Sequence, residues 1–224
     1  MTPSPVPPAY VGVWRRTLLK TPTLRDTTTR VFWLQTDVWH ADIRIPANRP
    51  ELSGHTLACL DRSAMRALAQ QQGFAGTTEV SGDVCRWHRK IDYQPPGRFN
   101  DVGRMRFDTP DRLFEYGVEQ DYFEIWERVD GSGGDSAVLE LNTPSQPRSL
   151  LLRAGEFVML VRDRNTPLVA ADHLETLIDA MSDDELISSL DLEISFGWRV
   201  DSASWRVELS TLPWREDQVI AFQD

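Results

Sequence analysis

Hydrophobic and polar positions alternate through most of the chain. In "VWHADIRI", residues 38–45, Trp39, Ala41, Ile43 and Ile45 share one side of an extended backbone, and Val38, His40, Asp42 and Arg44 share the other. That period of two predicts a strand with one apolar and one charged face. The stretch before it, "RVFWLQ", is also strand-like, and "GVWRRTLLK" precedes the polar turn "TPTLRDTT", so the chain opens as strand, turn, strand. In "DVCRWHRKIDYQ" the pattern sets Cys85, Trp87, Arg89, Ile91 and Tyr93 against Arg86, His88, Lys90 and Asp92. "DVGRMRFDT", "DRLFEYGV" and "DYFEIWERV" follow as further strands. "DGSGGDS" reads as a hairpin loop before "AVLELN", and "RSLLLRAGEFVMLVRDR" as two strands turning at Ala154, Gly155 and Glu156. "LEISFGWRVD", "SASWRVELST" and "QVIAF" complete an antiparallel β pattern.

Helical spacing interrupts this twice. In "DRSAMRALAQQQ" Asp61 is placed as the N-cap and Gly73 as the stop. Leu174, Leu177, Ile178 and Met181 recur at helical intervals, and Ser182 with Glu185 forms a capping box for another turn of helix.

The order of parts then repeats. "GVWRR" matches "EIWER", the hairpin at 31–46 matches "SLLLRAGEFVMLVRDR", each half has its helix, and "WHRKIDYQP" matches "WRVELSTLP". Intervals of roughly 110 to 120 residues are too long for a solenoid and predict two similar β-barrels. The expected organisation is a Pro-rich lead at 1–9, a first barrel at 10–118 and a second at 119–224. The latter barrel has the more apolar inward positions (Phe157, Met159, Val161, Phe196, Trp198, Val200), as a packed structural barrel would.

Charge narrows the partners. With 24 Lys plus Arg against 34 Asp plus Glu, the net charge of -10 repels phosphate backbones and anionic lipid, so neither nucleic acid nor membrane is expected. The cluster of Arg86, Arg89, Arg98, Arg104 and Arg106 leaves room for a small anion. Cys59 and Cys85 fit neither a zinc ribbon nor a CxxC redox motif and read as buried thiols. "MTPSPVPPAY" is not a signal peptide, and no run approaches the roughly 20 apolar residues of a membrane span, which together predict a cytoplasmic protein.

Gly12 and Trp14 resemble the Gly-x-Trp opening of lipocalins and other calycins, where the Trp closes the barrel floor beneath a late arginine. "FAGTTEV", "FEIWERVDGSGGDSAVLEL" and "RSLLLRAGEFVMLVRDR", within residues 74–164, resemble in order and spacing the fungal and bacterial two-barrel lipocalin-like family typified by a yeast casein-kinase-interacting protein of the Hri type. The resemblance implies a mainly β fold of two tandem lipocalin-like barrels with short helices and no enzymatic activity. It supplies no catalytic residues; the kinase and translocon partners are those of the yeast protein.

For chemistry, His40, Asp42 and Arg44 on one strand and Trp87, Arg89 and Tyr93 on another would line a barrel with aromatic and cationic groups. Such a lining suits a small amphipathic, hydrophobic or anionic ligand. The candidate contacts are Trp14, Trp33, His40, Arg44, Trp87, Arg89, Tyr93, Arg104 and Arg106. Two alternatives stand beside this: a protein-interaction module with packed barrels, and a cofactor-free isomerase or cyclase using His40 with Asp42, or His88 with Asp92, as an oriented base. No nucleophile elbow, phosphate loop or dinucleotide fingerprint is present. Four scattered histidines make no zinc signature, leaving a single-His haem as the open metal alternative to no cofactor at all.

Overall fold

The computed structural model describes residues 4–97, 99–141 and 147–222. Arg98 and the end of "AVLELN" therefore lie outside the described residues. Nine strands run in an antiparallel meander: β1 (Gly12–Lys20), β2 (Arg25–Asp26), β3 (Arg30–Gln35), β4 (Trp39–Ile45), β5 (Gln72–Ser81), β6 (Val84–Asp92), β7 (Asp101–Thr109), β8 (Arg112–Gly117) and β9 (Phe123–Arg128). β9 returns to β1, in register from Trp14 opposite Arg128 to Lys20 opposite Phe123. Because β2 is only a two-residue spur on β1, eight strands close the barrel.

The remaining strands, β10 (Ser136–Glu140), β11 (Ser149–Ala154), β12 (Phe157–Arg162), β13 (Glu193–Arg199), β14 (Ser204–Ser210) and β15 (Val219–Ala221), form an open six-stranded sheet. The expected second barrel is thus not formed. The apolar face of this sheet is already buried, since Leu150, Leu152, Met159, Val161 and Phe196 pack against the barrel's outer wall of Phe32, Leu34, Ala41, Ile43 and Ile91. The rings of Phe32 and Phe196 stack with centroids 4.3 Å apart. What reads in sequence as the interior of a second barrel is the interface between two sheets, with Trp198 and Val200 left exposed at its rim. The strand that completes the barrel, β9, also lies beyond the expected 118/119 boundary. "EIWER" is the hydrogen-bonded neighbour of "GVWRR" in one barrel and not its counterpart in another. The Gly-rich stretch 130–135 accordingly carries the chain from barrel to sheet and turns no hairpin.

Part of the recurrence is nonetheless visible. The order β3, β4, helix, β5, β6, β7 is matched by β11, β12, helix, β13, β14, β15. Both second hairpins carry a bulge, opposite Gly76 and opposite Gly197, that leaves Lys90 and Glu208 unpaired. A Cβ on Gly76 would stand 1.9 Å from the His88 carbonyl oxygen and one on Gly197 1.8 Å from that of Arg206, so only glycine lets the strands approach this closely. The bulge at Lys90 also inverts the strand: Trp87 faces into the barrel, whereas Ile91 and Tyr93 face the outer core. The single face drawn through all five alternating residues of β6 is corrected by that one extra residue.

Between the hairpins lie α1 (Arg62–Ala69) and α2 (Asp183–Leu190). Asp61 caps α1 by accepting from the Ala64 N–H at 2.8 Å, but the helix ends at Ala69 because Gly73 already belongs to β5. The segment Leu174–Ala180 forms 3-10 turns, and the capping box of Ser182 and Glu185 starts α2 as expected. Arg62 ties the two together through Asp183 and the Ile178 carbonyl. Replacing the cap, Ser182→Ala, is expected to cost about 1 kcal/mol in urea unfolding; an unchanged midpoint would show that α2 is held by packing alone. Of the two thiols, Cys85 is buried as expected and Cys59 is exposed.

Candidate functional site

The barrel interior is built in layers. At the floor, Trp14 is fully buried and donates its indole N–H to the Tyr10 carbonyl at 2.8 Å. The Arg128 guanidinium lies 4.2 Å above its ring and donates to the Val11 and Ala9 carbonyls. This is the tryptophan under a late arginine that the calycin resemblance implies. Above the floor sit Trp33, Trp87 and Trp126, with Cys85, Met105 and Leu113 between them.

The charged face of β4 points inward, into a polar layer that closes the top. Arg44 donates to Asp42 at 2.7 Å, and Arg16 bridges Glu124 at 2.7 Å and Asp26 at 3.2 Å. Burial opposes the charge on Arg44, and Asp42 and Glu124 more than offset it. Glu115 accepts from the Tyr122 hydroxyl at 2.7 Å and from the Trp126 indole at 2.9 Å. Burial first, and then neighbouring Glu124, push its carboxyl up to about 8, so it is a neutral acid at pH 7. Gly103 makes room for it, since a Cβ there would lie 2.8 Å from the carboxyl oxygen.

These layers fill the barrel. Only about 10 Å³ remains among Trp33, Arg44, Phe74, Trp87, Glu115 and Trp126. That is room for one water, whereas a site for a drug-sized ligand needs at least about 300 Å³. Trp14, Trp33, His40 and Arg44 are packed or paired within these layers. His40 is fully buried, with Nδ1 3.0 Å from the Thr78 hydroxyl, which itself donates to Gln35 at 2.7 Å. The proton thus sits on Nδ1. Burial, followed by the nearby Arg89, holds the imidazole well below its usual pKa, so it is neutral. Neither proposed base is assembled: Asp42 is taken by Arg44, and His88 lies outside the barrel against Glu79 at 3.0 Å. Residues two apart on a strand stand about 7 Å from each other, beyond direct hydrogen bonding.

Space opens above this polar layer. A groove of about 1360 Å³ runs along β6 and the barrel mouth, bounded by residues 94–97 and 99–100, the start of β7, residues 119–122 and residues 163–176. Trp87, Pro96, Phe99 and Leu168 contribute apolar wall, and Phe99 is 61% exposed. Arg89 lies in the groove, bonded to Asp101 at 2.7 Å and Asp92 at 3.0 Å, with its guanidinium 3.6 Å over Phe74. Of the candidate ligand contacts, Trp87 and Arg89 line this groove, together with Arg86 of the basic cluster and His88 and Asp92 of the alternative base. Tyr93 is buried between barrel and sheet, donating to the Leu68 carbonyl at 3.1 Å. Arg104 and Arg106 flank inward-facing Met105 and so point outward, to Asp83 and over Phe114.

Arg164 is not a residue that the sequence singles out. It lines the groove, is 9% exposed, and spends its two terminal nitrogens on the Asp92 and Tyr93 carbonyls at 3.0 and 2.8 Å. Its Nε is buried without a hydrogen-bond partner, and the carboxylates of Asp163, Asp92 and Asp191 partly offset its charge. It stands at the end of "FVMLVRDR", and its burial is a property of the folded chain. Among the described residues no group of three or more His, Cys, Asp or Glu is placed to hold a metal. Nor is any of their helices long and apolar enough to cross a membrane.

No family model matches this chain, and no curated protein matches it. Among solved structures it is similar to the crystal structure of the uncharacterised protein YLR301w from Saccharomyces cerevisiae, with a TM-score of 0.57 and 15% identity over 89% of this chain and 84% of that one. The likeness bears on the fold alone: a mainly β chain with a closed eight-stranded barrel and few helices.

Proposed function

We propose that the protein is a calycin-like binding protein that takes a small amphipathic or hydrophobic molecule in the groove over the barrel mouth. The observation that carries this reading is the groove itself, large enough for a ligand and walled in part by Phe99, whose ring is more than half exposed. The up-and-down meander and the Trp14 and Arg128 floor support the calycin-like assignment. The matched bulges at Gly76 and Gly197 favour an internal duplication whose second copy stayed open. Two unpaired cysteines suit a reducing compartment, hence the cytoplasm.

A protein-interaction role has its own support. The end strands β10 and β15 leave sheet edges that a partner's strand could join, and Leu139 on β10 is 48% exposed. That favours docking at the sheet beside ligand binding at the barrel.

The test is a fluorescence titration with dansylundecanoate and its methyl ester. Saturable binding is expected, weakened roughly tenfold by Phe99→Ser, the order of loss for one apolar contact. If neither probe binds saturably, the groove is not a ligand site.

A further inference from the structure

We propose that the open sheet docks a β-hairpin of a partner protein, which pairs with both of its edges and covers its free face. This rests on the reading of the sheet as a docking site and adds the element that docks there.

The chain itself shows which strands the sheet lacks. β10 stands beside β11 as β1 stands beside β3, and β11 to β15 follow the order of β3 to β7. In the barrel the next two strands, β8 and β9, form a hairpin that pairs with β7 on one side and with β1 on the other. No described strand takes those two places in the sheet, so β15 and β10 each keep an open edge. Strand directions alternate through the sheet, and a hairpin inserted there runs antiparallel to both edges.

The faces correspond as well. Trp87 stands three residues before the bulge at Lys90 and faces the barrel interior; Trp205 stands three residues before the bulge at Glu208. Beyond the two bulges, Ile91 and Leu209 both join the core between barrel and sheet. The sheet therefore meets the barrel with the side that corresponds to an outer wall. Its other face, built on Val158, Trp205 and Val207, corresponds to a barrel interior and points away. Leu151, Leu160, Ile220 and Phe222 border that cluster and are only partly buried, and Leu139, opposite Leu151, is 48% exposed. Arg153, opposite Val158, and Arg199, opposite Trp205, place two cations on the same face.

The barrel's own hairpin shows what fits. It turns Leu113 and Trp126 into the apolar interior and brings Glu124 to Arg16 at 2.7 Å. A partner hairpin with the same pattern, apolar inward positions and an inward carboxylate, complements the free face and its arginines. One strand alone would pair a single edge and leave the other open.

The probe is a fluorescein-labelled peptide of residues 111–129, the barrel's closing hairpin, titrated into the intact protein and followed by fluorescence anisotropy. Saturable binding is expected, at least about tenfold tighter than that of either strand as a separate peptide, 111–118 or 121–129, because joining the strands makes the second contact intramolecular. Leu139→Asp, with circular dichroism unchanged, should weaken binding roughly tenfold or more. Phe99→Ser, in the barrel groove, should leave it as it is. If one strand binds as tightly as the hairpin, the sheet is a docking site and the hairpin is overturned as its occupant. Undiminished affinity in Leu139→Asp puts the peptide elsewhere and also overturns the proposal. If no peptide binds, the docking reading of the sheet fails and this inference with it. A wild-type dimer in sedimentation that Leu139→Asp dissociates would give the face to a second copy of the chain instead.

Discussion

Glu115→Gln is expected to stabilise the protein by a few kcal/mol near pH 9 and to flatten its stability profile below that. The carboxyl of Glu115 is raised from 4.5 to about 8 by burial and by Glu124. Between those two values the folded chain holds a proton that the unfolded chain releases, so stability is full below the unfolded pKa and declines as pH rises through the folded one. A tenfold difference in proton affinity between the folded and unfolded chains is worth about 1.4 kcal/mol. Glutamine preserves the size of the side chain and an acceptor for the Trp126 indole, and it has no charge to expose. Urea midpoints for both proteins at about pH 5, 7 and 9 measure the linkage. Parallel profiles would mean that Glu115 is ionised and satisfied in the folded state, and the neutral acid in the polar layer would be ruled out.

Arg16→Met should cost about 3–5 kcal/mol at neutral pH, because it removes the close partner of a buried carboxylate. Arg16 is buried, and it alone joins Glu124, on β9, to Asp26, at the start of the barrel. Once it is gone, the nearest cation to Glu124 is Arg44 at 3.9 Å, already committed to Asp42 at 2.7 Å. The double variant Arg16→Met/Glu124→Leu removes the stranded carboxylate and should regain part of the loss. If the double variant loses as much as the two single variants summed, the pair is not coupled and the layer is held together by packing.

Much of this is legible from the alternation of residues. The hairpin turning at Gly155, both helix N-caps and the Gly-x-Trp floor are local patterns and appear where the sequence places them. The charged face of β4 lies inside, as the expected barrel lining has it, but the reason is not legible in the chain. A charged face normally meets solvent, but here an outer sheet covers the apolar face, so the charges turn inward and neutralise one another. The position of Tyr93 is lost to one bulged residue, Lys90, which no period of two can anticipate. Closure through β1 and β9 reads as repetition, because neighbours across a barrel seam have the same reasons to look alike as copies do. Arg164 carries no signal at all in the chain, since its burial against the Asp92 and Tyr93 carbonyls is set by the fold.

The outward-facing apolar wall of the barrel bears on how the molecule is made. When β9 has just left the ribosome, every strand of the barrel exists, and yet Phe32, Leu34, Ile43 and Ile91 still lack the sheet that covers them. A nascent chain at that stage carries a sticky apolar outer surface as well as its filled interior, which favours aggregation. Its cover comes from strands between Ser149 and Ser210, synthesised last. Chaperone occupancy on translating ribosomes should therefore persist past barrel completion and fall only as β13 and β14 emerge.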